Sequence, residues 1–367
     1  MKVSRVVVRV RPRPYPVYVG SRLLGSLPRL LARHVSGRRC VLVTDRYLER
    51  GLAAQVAWSL RRSGWEVALK ALPRGEKAKS FAALTDLYGF LLRRRVERRT
   101  PLIAVGGGTV GDAAGFAAAT FYRGVPLVHV PTTLLAQVDS AIGGKTAVNH
   151  PLAKNAVGAF YQPALVAADV DVLKTLPERE VRAGLAEVVK YALVFDRPFA
   201  GRLRRGWGSL IRGVREDLVR TVRRCVELKA SVVAADERDL SGRRELLNFG
   251  HTVGHALESA TGYRRFLHGE GVSWGMRAAL RLSEGRGWMR RPADRALAWA
   301  LLESLPAPAW PKGLTLRRLL APLAHDKKVR GAKNVFVLLK DIGTPVRVGD
   351  VTPDEIRAAL SSMGVRS

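Results

Sequence analysis

The sequence predicts two domains, an N-terminal α/β domain and a mainly α-helical C-terminal domain. In the first half, short runs of Val, Leu and Ile alternate with amphipathic stretches, which is the pattern of strands joined by crossover helices. After about Leu173 the pattern changes to long helical segments with few strand signals. The chain of 367 residues is long enough for about two domains with sizeable cores. We place the α/β domain at residues 1–172 and the helical domain at residues 173–367.

The predicted elements follow in order along the chain. Five strands are expected in the first domain, at residues 6–10, 40–45, 67–69, 102–105 and 127–130. Helical patterns at residues 48–63 and 80–94 lie between them, so the sheet should be mainly parallel. The second domain should contain helices at residues 177–194, 210–234, 246–261 and 272–286.

The chain is extremely basic, with a formal net charge of +31. Such a charge invites a nucleic-acid-binding interpretation, but the basic residues are spread along the whole chain and form no basic tail, aromatic box or zinc-finger spacing. The 48 Arg stand against four Asn and three Gln, a depletion of amides that resembles thermophile usage. The charge would also suit a polyanionic substrate and cofactor, so we expect no nucleic-acid partner.

No long uncharged apolar run and no signal-peptide pattern are found in the sequence. Cys40 and Cys225 lie in separate apolar segments and form no CxxC motif. These observations predict a cytoplasmic protein without a membrane partner, a disulfide framework or a cysteine-based metal site.

A glycine-rich turn follows the predicted strand at residues 102–105. Gly106-Gly107-Gly108 leads into Thr109, Val110, Gly111 and Asp112, and then into an Ala-rich helix. Glycines at a strand-to-helix turn let the backbone and the helix dipole approach a pyrophosphate, so a dinucleotide is the expected ligand. A tight structural turn is the alternative. Two further features favour the dinucleotide: Asp45 at the end of a strand, and the polar turn around Glu76 and Lys79. The spacing of the glycines differs from that of the usual Rossmann dinucleotide-binding motif.

A second polar segment runs from Pro131 to Asn155. It contains Asp139, a Gly-Gly-Lys sequence ending at Lys145, and Lys154-Asn155, among small and apolar residues. Two adjacent glycines before a lysine are unfavourable in helices and strands, but they suit a lysine that must reach a ligand close to the backbone. An isolated lysine would be interpreted as a solvated charge, whereas this cluster favours an anion-binding role for Lys145.

Three of the seven histidines fall within 18 residues, at His251, His255 and His268. His251 and His255 are four residues apart and share one face of a helix, and His268 lies in a predicted Gly-flanked turn that can fold back toward them. Glu187, a lone acid on an apolar helical stretch, is the best candidate for a distant ligand. Two His and one Glu leave a coordination position open, as in catalytic zinc sites. A pair of hydrogen-bonded core histidines is the alternative.

These motifs, taken in chain order, closely resemble those of the 3-dehydroquinate synthase family. The resemblance covers nearly the whole chain. The residues that carry it are 106–155, Glu187-Val188-Val189-Lys190, the stretch from Lys229 to Val233, Asp236-Glu237, Arg244, Asn248-Phe249-Gly250-His251 and His268-Gly269-Glu270. It implies a dehydroquinate synthase-like fold with a Rossmann-like NAD-binding domain, a helical metal- and substrate-binding domain, an active site between them and a homodimer. It also implies conversion of 3-deoxy-D-arabino-heptulosonate 7-phosphate to 3-dehydroquinate and phosphate in the shikimate pathway.

The resemblance also implies roles for individual residues. Glu187, His251 and His268 would bind zinc or cobalt, and His255 would face the substrate. Arg123 would reach across the dimer to the neighbouring site, and Lys327 or Lys328 would bind an anionic group of the substrate. Catalytic roles would fall to Asp139, Lys145, Lys190, Asn248 and His255. The substrate would be held by Lys145, Asn155, Lys190, Lys229, Arg244, Asn248 and His255. NAD would be bound by Asp45, Glu76, Lys79, Gly107, Gly108, Thr109, Val110, Asp112, Thr132, Thr133, Leu135, Lys145 and Lys154.

Some points remain open in the sequence. The stretch from Asp236 to Arg244 is about one residue longer than expected, so Arg243 competes with Arg244 for the carboxylate of the substrate. Other sugar phosphate cyclases act on substrates without that carboxylate, and Lys229, Arg244 and Asn248 favour its presence. A metal-dependent polyol or glycerol phosphate dehydrogenase would share the fold but release reduced cofactor.

Overall fold

The computed structural model describes residues 3–321 and 335–365. The chain divides into two compact units, one of Met1–Leu176 with Gly213–Arg238 and the other of Pro177–Arg212 with Asp239–Ser367. Residues 213–238 therefore group with the first unit, although the sequence pattern placed them in the helical domain. The reason is tertiary, because the helix that they form packs against the first two strands of the sheet.

The first unit contains a seven-stranded sheet with the strand order β1-β2-β9-β6-β5-β3-β4. β1 and β2 pair antiparallel, and the remaining neighbours pair parallel. The expected parallel sheet is therefore present. The strands are β1 (Ser4–Val8), β2 (Tyr15–Gly20), β3 (Arg39–Asp45), β4 (Glu66–Leu72), β5 (Leu102–Gly106), β6 (Leu127–Pro131) and β9 (Leu165–Asp169).

Helices cover both faces of this sheet, and each face has its own apolar core. Leu27 and Leu31 of one helix and Val56 and Leu60 of the next pack on one face. The opposite face is covered by two further helices, where the small side chains of the Ala-rich helix let it lie close to the strands. These helices are α1 (Leu27–His34), α2 (Leu52–Arg62), α3 (Phe81–Arg93) and α4 (Gly108–Thr120), and α7 (Arg215–Ala235) completes the unit.

An antiparallel hairpin of β7 (Lys145–His150) and β8 (Ala153–Phe160) forms a separate two-stranded sheet that packs against α4. At Gly158 a Cβ atom would lie 2.1 Å from the Thr146 carbonyl oxygen, so only glycine permits the strands to approach this closely. The hairpin holds Lys145, Lys154 and Asn155 in one small structure.

The second unit is mainly helical, as predicted. Its helices are α5 (Glu178–Phe195), α6 (Arg197–Ile211), α8 (His251–Ala260), α9 (His268–Gly285), α10 (Pro292–Glu303) and α11 (Pro353–Ser361), and residues 316–321 are also helical. A hairpin of β10 (Phe336–Asp341) and β11 (Thr344–Val348) packs against α9 and α5. In the described part of the chain, no helix is long and apolar enough to cross a membrane.

Two local expectations were wrong. The helix expected at residues 210–234 is interrupted, because Gly213 has a φ of 70° and separates α6 from α7. His268 was expected in a turn but is the first residue of α9. The Glu270 carboxylate accepts a hydrogen bond of 2.9 Å from the Leu267 N–H, which caps the helix one residue before the histidine.

Candidate active site

Three helices of the second unit bring a carboxylate and two imidazoles together. Glu187 of α5 is fully buried, and its Oε1 lies 3.5 Å from His251 Nε2 of α8 and 3.6 Å from His268 Nε2 of α9. Donor atoms at about 2.0–2.1 Å from a tetrahedral zinc ion are separated from one another by about 3.3 Å. The two distances from Glu187 Oε1 to the histidine nitrogens therefore fit one shared divalent cation.

His255 belongs to the same cluster. One ring nitrogen from each of His251, His255 and His268 can be chosen so that all three atoms lie within 4.8 Å of one another. The His255 ring is 5.2 Å from that of His251 and 5.7 Å from that of His268, between centroids. His255 is the exposed member of the cluster, while the other two are partly buried. Its position is compatible with a group that faces a bound substrate.

The electrostatics of the cluster differ sharply between the imidazoles. Burial and the nearby Lys190 charge hold the pKa of His251 well below its usual range. Burial also disfavours the charged form of His268, but the carboxylates of Glu187 and Glu258 raise its pKa to about 10. The two carboxylates thus favour a positive charge at this position, and a divalent cation would displace the proton that His268 otherwise holds.

Lys190 lies one helical turn after Glu187 on α5 and is buried. Its Nζ forms an ion pair with Glu187 Oε2, on the carboxylate oxygen that does not face the histidines. The buried ammonium of Lys190 next to the histidine cluster is compatible with the predicted anion-binding role.

Glycines allow the three helices to approach closely enough to form this cluster. A Cβ atom on Gly269 would lie 1.8 Å from the Ala183 carbonyl oxygen, and one on Gly275 would lie 1.7 Å from the Gly250 carbonyl oxygen. The first contact joins α9 to α5, and the second joins α9 to the residue preceding α8. Any side chain at either glycine would therefore separate the helices that carry the donor atoms.

Arg243, Arg244 and Asn248 lie at the short 3₁₀ helix Arg244–Asn248, which precedes α8. Arg244 is buried and Arg243 is exposed, so the two arginines that compete for the carboxylate role occupy different environments. Asn248 is exposed and lies three residues before His251.

In the first unit, the glycine-rich turn joins β5 to α4, as the sequence predicts. Gly107 precedes the helix, and Gly108, Thr109 and Val110 form its first turn. A Cβ atom on Gly106 would lie 2.6 Å from Val110 Cβ, so the strand end and the helix meet without an intervening side chain. The first turn of α4 therefore presents backbone N–H groups where a phosphate can approach.

Lys79, Asp112 and Asn155 meet beside this turn. Lys79 Nζ is buried, donates to Asp112 Oδ2 at 2.5 Å and also donates to Asn155 Oδ1. Burial raises the pKa of the Asp112 carboxyl, and the Lys79 charge opposes that rise. Asn155 has a φ of 56°, and its N–H donates to Asn149 Oδ1 at 3.1 Å. Lys79 and the β7–β8 hairpin are thus fixed against the start of α4.

Asp139 and Lys229 form a second pair in this unit. Lys229 Nζ donates to Asp139 Oδ1 at 2.7 Å and to the Asp139 backbone oxygen at 2.8 Å. Lys229 lies on α7 and is buried, and Asp139 lies in the short π-helical turn Ala136–Ser140. The pair adds a polar contact to the packing of α7 in the sheet unit.

The remaining predicted residues of the first unit occupy the ends of strands and nearby turns. Asp45 Oδ1 accepts hydrogen bonds from the Tyr47 and Leu48 N–H groups, at 2.9 and 3.0 Å, at the end of β3. Glu76 Oε2 accepts from Asn149 Nδ2 at 2.7 Å and lies 3.7 Å from Lys154 Nζ.

Thr132, Thr133 and Leu135 follow β6, and the Thr132 N–H donates to the Gly106 carbonyl oxygen at 3.0 Å. Lys145 is exposed at the start of β7, and Arg123 is exposed in a turn after α4. Lys327 and Lys328 lie outside the described residues.

Sequence reasoning missed one carboxylate next to the histidine cluster and assigned no role to another at the start of α9. Glu258 Oε1 lies 3.0 Å from His268 Nδ1. Glu270 forms two hydrogen bonds with Arg179, of 2.7 and 2.8 Å, at the start of α9. The available signal for Glu258 was its position seven residues after His251, which places both side chains on the same face of α8.

Two family models together match residues 69–329, and known proteins match nearly the whole chain. The 3-dehydroquinate synthase N-terminal model matches residues 69–183, and the C-terminal model matches residues 184–329. The 3-dehydroquinate synthase of Desulforamulus reducens is 42% identical over 360 residues, which cover 98% of this chain and all of that protein.

Two solved structures are similar over their full length. One is 2-deoxy-scyllo-inosose synthase in complex with carbaglucose-6-phosphate, NAD⁺ and Co²⁺, with a TM-score of 0.88, 27% identity, and coverage of 98% of this chain and 100% of that chain. The other is 2-epi-5-epi-valiolone synthase from Streptomyces hygroscopicus with NAD⁺ and Zn²⁺, with a TM-score of 0.88, 30% identity and coverage of 99% of each chain. These similarities confirm the predicted fold class, and the chain belongs to the 3-dehydroquinate synthase family.

Proposed function

We propose that the protein is a 3-dehydroquinate synthase. It converts 3-deoxy-D-arabino-heptulosonate 7-phosphate to 3-dehydroquinate and phosphate, through transient oxidation by NAD, elimination of phosphate, reduction, ring opening and aldol closure. The observation that carries the proposal is the Glu187, His251 and His268 cluster, whose donor spacing of 3.5 and 3.6 Å fits a divalent cation in a chain of this family.

The cofactors in this proposal are NAD and one divalent metal ion, zinc or cobalt. When bound, the metal would polarise a substrate hydroxyl, and NAD would accept a hydride and return it within one turnover. Similar structures contain NAD⁺ with Co²⁺ or Zn²⁺, which supports this pairing. Glu187, His251 and His268 would hold the metal.

For NAD, the proposal uses the residues around the start of α4 and the neighbouring strand ends. The helix N-terminus would bind the pyrophosphate, and Asp45 would hold a ribose hydroxyl. The proposed NAD-binding residues are Asp45, Glu76, Lys79, Gly107, Gly108, Thr109, Val110, Asp112, Thr132, Thr133, Leu135, Lys145 and Lys154.

For the substrate, the proposal relies on cations and amides, because a phosphorylated sugar acid carries two anionic groups. Arg244 and Lys229 would hold the carboxylate, since a guanidinium can pair with it through two parallel hydrogen bonds. The reaction mainly requires the substrate to be positioned and shielded from water. Contributions are proposed from Asp139, Lys145, Asn155, Lys190, Asn248, His255 and one of Lys327 and Lys328.

The homodimer and the cytoplasmic location remain part of the proposal. Arg123 is exposed, and it follows Tyr122 in a turn where both residues have positive φ values, 60° and 49° respectively. Such a fixed, exposed turn suits a side chain that reaches a neighbouring subunit. Light scattering would measure the molar mass. A mixture of Arg123→Ala chains and Lys190→Ala chains should regain activity if Arg123 acts in the partner's site.

The proposed function is tested by incubating the protein with the heptulosonate phosphate, Zn²⁺ and NAD at a small fraction of the substrate concentration. We expect phosphate and 3-dehydroquinate in equal amounts, many turnovers per NAD, and no accumulation of NADH, because oxidation and reduction cancel within each turnover. Stoichiometric NADH would instead identify a dehydrogenase.

Another sugar phosphate cyclase is the second candidate, because two such enzymes share a TM-score of 0.88 with this chain. A substrate without the C1 carboxylate distinguishes the two. If the protein releases phosphate faster from a sugar phosphate without the carboxylate than from the heptulosonate phosphate, the second candidate is favoured.

A further inference from the structure

The side chain of Glu258 lies next to the proposed metal site, but it is not one of the proposed ligands. It is on α8, seven residues after His251, and it is buried. Its Oε1 lies 3.0 Å from His268 Nδ1, while the opposite nitrogen of the same ring, Nε2, lies 3.6 Å from Glu187 Oε1. The imidazole of His268 is therefore held between two carboxylates.

This arrangement determines which nitrogen of His268 is available to a cation. An ionised carboxylate only accepts hydrogen bonds, so the contact with Glu258 places a proton on Nδ1 and leaves the lone pair of the neutral ring on Nε2. Nε2 is the atom that faces Glu187. His251 shows the same orientation, because its Nδ1 lies 3.2 Å from the Phe249 carbonyl oxygen and its Nε2 faces Glu187.

A space left by a glycine accommodates the Glu258 carboxylate. A Cβ atom on Gly271, in the first turn of α9, would lie 3.0 Å from Glu258 Oε1 and 3.2 Å from Glu258 Cγ. Such contacts are tighter than ordinary van der Waals contact, so a side chain at position 271 would push the carboxylate away from His268.

Charge balance gives Glu258 a second role. Lys190 forms an ion pair with Glu187, so these two residues together contribute no net charge to the site. A buried divalent cation bound by neutral histidines would then lack a compensating negative charge close by. Glu258 supplies one negative charge behind His268, and a carboxylate on Nδ1 also makes Nε2 a stronger ligand.

We propose that Glu258 is a positioning residue for the metal site, which holds the Nδ1–H of His268 and increases the affinity for a divalent cation. This inference rests on the metal site of the proposed function. It extends the site beyond the three residues that contact the metal.

The test measures Zn²⁺ binding to metal-free protein by competition with a chromophoric chelator, without substrate or NAD. The variants are Glu258→Gln, which retains a hydrogen-bond acceptor but loses the charge, and Glu258→Ala, which loses both. The matched control is Glu284→Gln on α9, where the carboxylate accepts from Trp299 Nε1 at 2.7 Å, far along the helix from His268. Urea unfolding in excess chelator reports whether each variant keeps its fold.

We expect Glu258→Gln to bind Zn²⁺ about 10-fold to 100-fold more weakly than the unchanged protein, with Glu258→Ala weaker still. The absorption spectrum of bound Co²⁺ should also change, because both variants lose the negative charge behind His268 and Glu258→Ala also loses the hydrogen bond that orients the ring. Glu284→Gln should retain the original affinity and spectrum.

Unchanged affinity in Glu258→Gln, while the original protein binds Zn²⁺ tightly, would overturn this inference and leave the proposed function intact. Equal losses in Glu258→Gln and Glu284→Gln would also overturn it, because they would indicate general loosening of the helices. If the original protein bound no Zn²⁺, the metal site of the proposed function would itself be wrong.

Discussion

Replacing Gly275 by Ala should damage the proposed metal site without changing any of its proposed ligands. The added Cβ would lie 1.7 Å from the Gly250 carbonyl oxygen and 2.9 Å from the Gly254 nitrogen. Ordinary contact begins at 3.4 Å, so α9 and the start of α8 would have to separate by about 1.7 Å. Metal–ligand distances tolerate only about 0.2 Å of error, and His251 and His268 lie on the two helices that would separate.

Two other glycines give a graded series for this experiment. A Cβ on Gly254 would lie 3.0 Å from Gly271 backbone atoms, which requires a smaller movement, and a Cβ on Gly285 would meet no atom within 4 Å. In excess chelator, we expect Gly275→Ala to lower the free energy of unfolding by about 3 kcal/mol or more and Gly254→Ala by about 1 kcal/mol. Gly285→Ala should leave it unchanged or raise it by up to about 1 kcal/mol, because Ala favours the helix.

The assay is urea unfolding of metal-free protein together with Zn²⁺ competition at fixed temperature. Zn²⁺ affinity should fall by about a hundredfold or more in Gly275→Ala, by less in Gly254→Ala, and not at all in Gly285→Ala. If Gly275→Ala is too unstable to purify, a lower Zn²⁺ affinity in Gly254→Ala than in Gly285→Ala still tests whether close helix packing positions the ligands. The same affinity and stability in all three variants would refute the claim that close helix packing positions the ligands.

Two further predictions concern the substrate carboxylate and the pH dependence of stability. Arg244 is buried and Arg243 is exposed. Arg244→Lys should therefore lower kcat/KM for the heptulosonate phosphate by about tenfold to a hundredfold. Arg243→Lys and the remote Arg290→Ala should change kcat/KM little. Steady-state kinetics would contradict this if Arg243→Lys were the impaired variant. Burial lowers the pKa of His129 from 6.5 to about 4, so the unfolded chain binds more protons between these values and stability falls as the pH drops below about 6.5. Between pH 7.5 and pH 5 this proton binding should lower the free energy of unfolding by about 2 kcal/mol. In urea unfolding, the free energy of His129→Gln should therefore fall by about 2 kcal/mol less than that of the unchanged protein over the same pH range. An equal fall in both proteins would show that His129 is not the group responsible.

The sequence predicted the parallel sheet well, because the strands on either side of the glycine-rich turn are continuous apolar runs between amphipathic helices. It missed β2, whose run from Tyr15 to Gly20 contains a proline, and it missed the exposed, alternating strand β8. It also assigned α7 to the wrong unit, since only tertiary packing shows that this amphipathic helix lies against the sheet.

Within the candidate site, local spacing indicated the histidines but not their surroundings. His251 and His255 are four residues apart, and that spacing on a helix is visible in the sequence. The pairs of Lys79 with Asp112 and Lys229 with Asp139 join residues 33 and 90 positions apart, and no local pattern predicts such contacts. Glu258 was missed because a glutamate in an amphipathic helix is most often solvated, and only the fold shows that it is buried next to His268.

We propose that activity depends on a metal ion held by Glu187, His251 and His268. The most direct test removes the metal with a chelator and then adds Zn²⁺ back in steps, while phosphate release from the heptulosonate phosphate is followed with NAD present. We predict no activity in the metal-free protein and a linear return of activity up to one Zn²⁺ per chain. Folded His251→Ala should show neither Zn²⁺ binding nor activity. Full activity without metal, or undiminished Zn²⁺ binding by folded His251→Ala, would contradict it.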